Sequence, residues 1–278
     1  MTRKKFLQKM SVYLALGCLT LIFLVPVGMM ISGSFKPDSL VLQEAGQLTS
    51  FFPDEIVLTN YQDVFARVDF AQYIFNSIYI TGTIVLFGLF ANSLAGYALS
   101  RLHWHGRKLI LAGVIALIII PLEAIAVPLF YEVTLFGWRN TYLVQIVPFI
   151  ANAFSIYLFY TFFLGLPREL EEAARIDGAK PLRIFTCIVV PNAKPVFAAV
   201  AILTFLTQWG SFLWPLMVTH SENVRPLPLG IALFYTLPPL QWGDIFAFGV
   251  MMVLPVLVVF LVFQRWFVQG VASTGMKG

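Results

Sequence analysis

Cysteine is nearly missing from this chain: 278 residues hold two, Cys18 in an apolar run and Cys187 in a polar one. Neither a disulfide framework nor a thiolate metal site can be built from that pair. Charge is scarce as well. Asp, Glu, Lys and Arg make up 12% of the residues against 59% hydrophobic ones, which excludes an ordinary soluble domain. The chain has no G-x-x-x-x-G-K-[ST] phosphate loop, no H-E-x-x-H and no G-x-S-x-G elbow, so it is not expected to hydrolyse ATP or to be an enzyme. His103 and His105 flank Trp104 without the further ligands that a metal would need, and read instead as headgroup-level residues beside Arg101, Arg107 and Lys108. A net charge of +4 could suggest nucleic acid, but the basic residues lie scattered beside hydrophobic runs and not on one soluble face. Internal repeats and low-complexity tracts are absent too.

What is present is a set of six apolar runs, each long enough to cross a bilayer at roughly 20 residues or more. They fall at about 12–31, 73–99, 109–131, 142–164, 196–218 and 245–267, which makes the chain an all-α, multi-pass membrane protein of one domain. The connecting loops sort by charge. Lys36, Arg67, Arg139 and Arg225 are the only basic residues on one side; the other fourteen of the 18 lie on the side of both termini. By the positive-inside rule, both termini are cytoplasmic and the 32–72 loop, with Asp38, Glu44, Asp54, Glu55, Asp63 and Asp69, is external. The first run exceeds a typical signal-peptide core and no A-x-A site follows it, so it reads as an uncleaved span.

Between the fourth and fifth runs lies a polar island, 167–195 (PRELEEAARIDGAKPLRIFTCIVVPNAKP). Pro167 suits a first helical turn, Glu169, Glu171 and Glu172 sit where the helix dipole favours negative charge, and Gly178 follows as a C-terminal cap would. Pro181 can open a second helix whose Leu182, Ile184, Phe185, Ile188 and Val189 form an apolar surface expected along the membrane, with Pro191 as its stop. Ala173 and Ala174 leave one patch of the first helix low enough for a partner's groove to close on it. Such an island reads as a cytoplasmic docking handle.

Glu172-Ala173-Ala174, Asp177-Gly178-Ala179 and Ile188-Val189-Val190-Pro191 resemble the EAA loop of binding-protein-dependent ABC importer permeases, at that family's spacing. Ser34-Phe35-Lys36-Pro37, Leu58-Thr59-Asn60-Tyr61, Asn76-Ser77, the stretch from Ala95 to Leu102 and Phe212-Leu213-Trp214-Pro215-Leu216 extend the likeness to nearly the whole chain. With the closing Gly275-Met276-Lys277-Gly278 they resemble the smaller, maltose-permease-like subunit of the carbohydrate branch, Met276 standing where that branch usually has Val. The resemblance implies six transmembrane helices of the type I ABC importer permease fold with a cytoplasmic coupling helix, in a bacterial-type inner membrane. It implies that Glu172, Ala173, Ala174, Asp177, Gly178 and Pro191 couple to an ATPase, and that Gly275, Met276, Lys277 and Gly278 reach between the ATPases. It implies as partners a homologous second permease, two ABC ATPase subunits that hold ATP and Mg, and an extracytoplasmic solute-binding protein. The solute would be a sugar or glycoside, with glycerol phosphate as an alternative.

A few polar and aromatic residues inside the runs are candidates for lining a path. Glu123 lies roughly 21 Å along the third run and Asn152 roughly 15 Å along the fourth, near the midplane. Either can equally serve structure, Glu123 by snorkelling outward and Asn152 by a helix–helix hydrogen bond. Trp209, with Gln208 beside it, lies about 20 Å along the fifth run, whereas Trp214 at roughly 27 Å falls where an interfacial aromatic belt is expected. Gly210 and Pro215 mark the fifth run as the place for a broken helix. An ion-coupled carrier would need more ionisable groups along its route than Glu123 alone.

Overall fold

The computed structural model describes residues 3–275, with side chains for 9–263. Every regular element among them is helical. In chain order they are α1 (Arg3–Gly33), α2 (Asp38–Gln43), a 3-10 turn (Leu48–Phe51), α3 (Thr59–Arg67), α4 (Phe70–Arg101), α5 (Arg107–Ile119), α6 (Leu122–Leu135), α7 (Tyr142–Ile150) and α8 (Ala153–Leu164). Then come α9 (Glu169–Ile176), α10 (Pro181–Ile184), a π turn (Phe185–Val189), α11 (Val190–Asn192), α12 (Lys194–Trp209) and α13 (Leu213–Val218). A 3-10 turn (Glu222–Val224), α14 (Leu227–Leu233) and α15 (Trp242–Gly275) complete the chain.

Four stretches cross a membrane by length and hydropathy: Lys9–Gly33, Phe70–Arg101, Tyr142–Leu164 and Trp242–Phe263. Two bent pairs bring the number to six, α5 with α6 at 106° and Pro181–Asn192 with α12 at 81°. The third run is therefore not the straight crossing expected over 109–131. Pro121 has no N–H to continue the ladder, and it holds Ile120 in extended backbone (φ −82°, ψ 113°), so α5 stops and α6 starts in a new direction. The fifth run does break where Gly210 and Pro215 indicated: α12 ends at Trp209 and α13 resumes at Leu213. The last helix runs on to Gly275, past the end of the sixth apolar run at 267. Met276, Lys277 and Gly278 lie outside the described residues.

The chain divides into two compact units. One comprises 1–71 and 230–255. Its 32–72 loop is folded: Lys36 is buried, paired with Glu44, and donates to the Thr49 carbonyl at 2.6 Å, while Asn60 Nδ2 donates to the carbonyls of Ser34 and Lys36, each at 2.9 Å. Arg67 clamps this unit. Its guanidinium is salt-bridged to the buried Asp244, donates to the carbonyls of Leu237 (2.9 Å) and Pro239 (2.7 Å), and lies 5.2 Å from the centre of the Phe234 ring.

The other unit comprises 72–229 and 256–278. One of its cores joins Tyr97 of α4, Phe159 and Phe163 of α8, Ile184, Phe185 and Val189 of the island, and Val196 and Val200 of α12. A second core gathers Val133, Val144, Trp214 and Val218. Trp214 is not an interfacial belt residue: its indole N–H donates to the Val144 carbonyl at 2.9 Å inside this core. The break at Gly210 redirects the chain, so depth counted in helical rises from Val196 does not reach Trp214.

Candidate functional site

α9 is eight residues long and begins with the three carboxylates Glu169, Glu171 and Glu172 in its first turn, where unpaired backbone N–H groups favour them. Its end is closed by a Schellman motif. Gly178 takes φ +80° and its N–H donates to the Arg175 carbonyl at 3.0 Å, while the Ala179 N–H donates to the Ala174 carbonyl at 2.9 Å. Lys180, extended before Pro181, then starts α10 with the proline at a first-turn position.

The helix shows two faces. Ala174 and Ala179 pack on the core that joins α4, α8 and α12, and Glu171 is buried beside them. Glu172, Ala173, Asp177 and Gly178 point outward and are exposed. Ile176, which nothing in the spacing had singled out, is 87% exposed at the tip of the helix, and Leu182 stands exposed just beyond the turn. Of the six residues expected to couple, the structure thus brings four to one open surface and turns Ala174 partly inward. Pro191 is elsewhere.

Pro191 does not stop the second helix. The π turn over Phe185–Val189 widens the backbone just before it, making room for the proline ring and leaving no i−4 carbonyl waiting for its missing N–H. The helix continues to Asn192 and turns by 81° into α12. Ile184, Phe185 and Val189 are buried among α4, α8 and α12, so this helix roots the handle in the protein interior and its apolar surface does not lie along the membrane.

Glu171 is the residue that the sequence did not distinguish from its neighbours. Its side chain lies 3.2 Å from Arg101 Nε and 3.7 Å from the Arg175 guanidinium. The Arg101 N–H does not aim along the line to the carboxylate, so the contact is an ion pair without an aligned hydrogen bond. Arg101, the last residue of α4, also donates to the carbonyls of Phe163, in the last turn of α8, and of Leu166, just beyond that helix, the latter at 2.6 Å.

The expected path residues separate. Gln208 lines a cleft with Ser77, Thr81, Gln145, Ser211 and Trp214. Gln145 donates to the Val224 carbonyl at 2.8 Å, and its own carbonyl oxygen is buried with no hydrogen-bond partner among the described residues. The cleft holds about 10 Å³, at the lower limit for one water, so as it stands it admits no solute. Trp209 is buried and stacked on Phe205 at 5.3 Å, outside that lining. Asn152 is the N-cap of α8, its side-chain oxygen accepting from the Ser155 N–H at 2.9 Å. Glu123 is exposed in the first turn of α6, just past the Pro121 break. Among the described residues no cluster of His, Cys, Asp and Glu could hold a metal.

A family model described as "Binding-protein-dependent transport system inner membrane component" matches residues 71–273. The arabinooligosaccharides transport system permease protein AraQ of Halalkalibacterium halodurans is 35% identical over 254 residues, 91% of each chain. The trehalose/maltose transport system permease protein MalG of Thermococcus litoralis is 31% identical and covers 99% of both. A chain from the crystal structure of a bacterial ABC transporter importing the acidic polysaccharide alginate superposes with a TM-score of 0.84 at 25% identity, over 96% of this chain and 99% of that one. The helical fold implied by the sequence, that of a type I ABC importer permease, is the fold these coordinates share.

Proposed function

Because the chain belongs to the family of binding-protein-dependent transport system inner membrane components, and so is a transporter subunit and not an enzyme, we propose that it forms one half of the membrane path of an ATP-driven sugar importer. The observation that carries this reading is the exposed surface of α9. Glu172, Ala173, Ile176 and Asp177 stand free of their own chain at the end of a hairpin whose other helix is rooted in the core. A surface that apolar and acidic, on a chain without a phosphate loop, is fitted to a separate ATPase that supplies the ATP and Mg.

In this reading two such ATPases close on ATP and draw this chain and a homologous permease through their coupling helices. An extracytoplasmic binding protein delivers the solute. ATP must stabilise one arrangement of the helices over the other through α9, since affinity alone would shift nothing. Both termini and α9 face the cytoplasm, and Gly275, Met276, Lys277 and Gly278 approach the ATPases. Oligosaccharides or glycosides are the solute class, supported by relatives named for arabinooligosaccharides and for trehalose and maltose. Gln208, Gln145 and Ser77 are the groups offered to sugar hydroxyls once their cleft widens.

The test is reconstitution with the partner subunits in liposomes. Uptake of the sugar that stabilises the cognate binding protein against heat should require ATP inside and binding protein outside. Uptake driven by an ion gradient without ATP would overturn the proposal.

A further inference from the structure

Only four residues, 165–168, join α8 to α9, and Gly165 is the first of them. A force applied to the exposed side of α9 could be absorbed in that link before reaching the membrane helices. One side chain bridges it. Arg101 is 6% exposed and Glu171 4%, so both charges are held away from water. The guanidinium is a planar fork with five donors, and this one serves three partners: the carboxylate of α9, the Phe163 carbonyl in the last turn of α8 and the Leu166 carbonyl in the link. Phe163 lies in the last turn of α8, where its carbonyl also accepts from the Leu166 N–H at 3.1 Å, and Leu166 lies in the link itself; a cation there meets the negative end of the helix dipole.

The surrounding charges do not replace it. His103, Arg168, Glu172 and Arg175 line the same cleft as Arg101 and Glu171. Arg175 approaches Glu171 from within α9 itself, at 3.7 Å, and so neutralises the carboxylate without linking it to another helix. Ala174 and Ala179 do touch the core, but alanine side chains offer little to grip.

We propose that Arg101 is a positioning residue for energy coupling: by holding Glu171 and the end of α8 together, it makes α4, α8 and α9 a single lever that carries displacement of the exposed α9 surface to the spans. This rests on the reading of α9 as the ATPase-docking helix. In Arg101 one nitrogen, Nη2, serves both carbonyls while Nε faces the carboxylate; a lysine at 101 keeps the charge on a single nitrogen and cannot reproduce that two-sided placement.

The test uses the whole complex, purified with its ATPases and reconstituted with the binding protein. Three quantities are measured for Glu171→Gln and Arg101→Lys: ATPase co-purification, solute carried per ATP hydrolysed, and a spin-label distance. The labels go at His105 and Lys180, both exposed, in a background with Cys18→Ser and Cys187→Ser. Both variants should retain the ATPases yet carry at least about tenfold less solute per ATP, within the range that coupling free energies span. The label distance should be narrow and equal in nucleotide-free and ATP-trapped wild type, and broadened in Glu171→Gln. Wild-type solute per ATP in Glu171→Gln overturns the proposal, and so does a wild-type distance that changes between the two states. If Glu171→Gln sheds its ATPases, its label distance decides alone: broadened supports the lever, narrow rejects it. Failure of the docking reading shows separately, as ATPases that remain bound and coupled when Glu172→Lys removes the exposed charge.

Discussion

Gly96 on α4 and Phe159 on α8 approach so closely that a Cβ at Gly96 would lie 2.6 Å from the Phe159 Cβ and 3.0 Å from the Tyr160 backbone nitrogen. Backbone and Cβ atoms cannot swing aside as a long side chain can. Gly96→Ala should therefore push the two helices apart and cost about 1–3 kcal/mol, the usual range for overpacking. The helix-propensity gain of alanine offsets about 1 kcal/mol at most. Thermal unfolding in detergent measures it; a variant as stable as wild type would mean that the helices are free to separate here.

Glu172→Lys tests the exposed surface. The exposed carboxylate makes no hydrogen bond or ion pair among the described residues and loses only its place at the helix N-terminus, so the permease itself should change stability by less than about 1 kcal/mol. If its partner is a basic residue desolvated in an ATPase groove, reversal should weaken docking by about 2–5 kcal/mol, and charge reversal in the ATPase should recover part of that. Co-purification and uptake are the readouts. Near-normal uptake would show that this charge is not used.

Gly178 separates conformation from crowding. Nothing lies within 4 Å of a Cβ built there, but φ is +80°. Gly178→Leu should strain the cap by about 1–2 kcal/mol without any clash inside the chain, whereas asparagine tolerates that backbone and Gly178→Asn should be nearly silent. Should Asn fail as badly as Leu, the loss arises from close approach to a partner and not from the cap.

Arg67→Ala should be the most damaging change in the first unit. It leaves Asp244 buried without its ion-pair partner, and removing one member of a buried pair costs about 3–5 kcal/mol. The double variant Arg67→Met with Asp244→Leu should recover much of the loss, since a packed apolar pair removes the stranded charge. Limited proteolysis of the outer loop and thermal unfolding follow both.

The orientation is tested by single cysteines at Leu48, exposed in the outer loop, and at Lys180. With Cys18 and Cys187 replaced, an impermeant thiol reagent added to intact cells should label only Leu48→Cys. Labelling of Lys180→Cys alone would reverse the assignment, and labelling of both from outside would put the two positions on one side and overturn the topology.

Composition alone was enough to recognise the membrane helices, and punctuation by Gly178 and Pro181 was enough to place the handle. Direction was harder to see. The 106° bend at Ile120-Pro121 lies inside an unbroken apolar run, so hydropathy reads it as one crossing and the depth assigned to Glu123 fails with it. Pro121 was the visible signal, but a proline inside a span is also tolerated without a turn of this size, as Pro26 and Pro255 are within α1 and α15. The choice between Glu171 and Glu172 was not legible either. The two are one helical step apart, about 100° around the axis, and what buries the first is Arg101, 70 positions earlier in the chain. Pro191 reads as a stop unless the backbone widens into a π turn, and nothing in FTCIV announces that it will.

The span Lys9–Gly33 within α1 has none of its most apolar window buried in its own chain, and it meets its unit at its C-terminal end, where Gly28 faces Phe51 and Gly33 is in tight contact with Phe246. A helix whose most apolar window is unburied gains little along that window from waiting for the rest of the polypeptide. Its partition from the translocation channel into lipid depends on its own side chains, before Phe246 has been synthesised. One charged residue in the middle of this helix would then cost about 2.5–3.5 kcal/mol at insertion, whereas a similar change in α4 could still be sheltered by later helices. Tolerance to mutation is thus set along α1 by the biosynthetic machinery and along α4 by the finished fold.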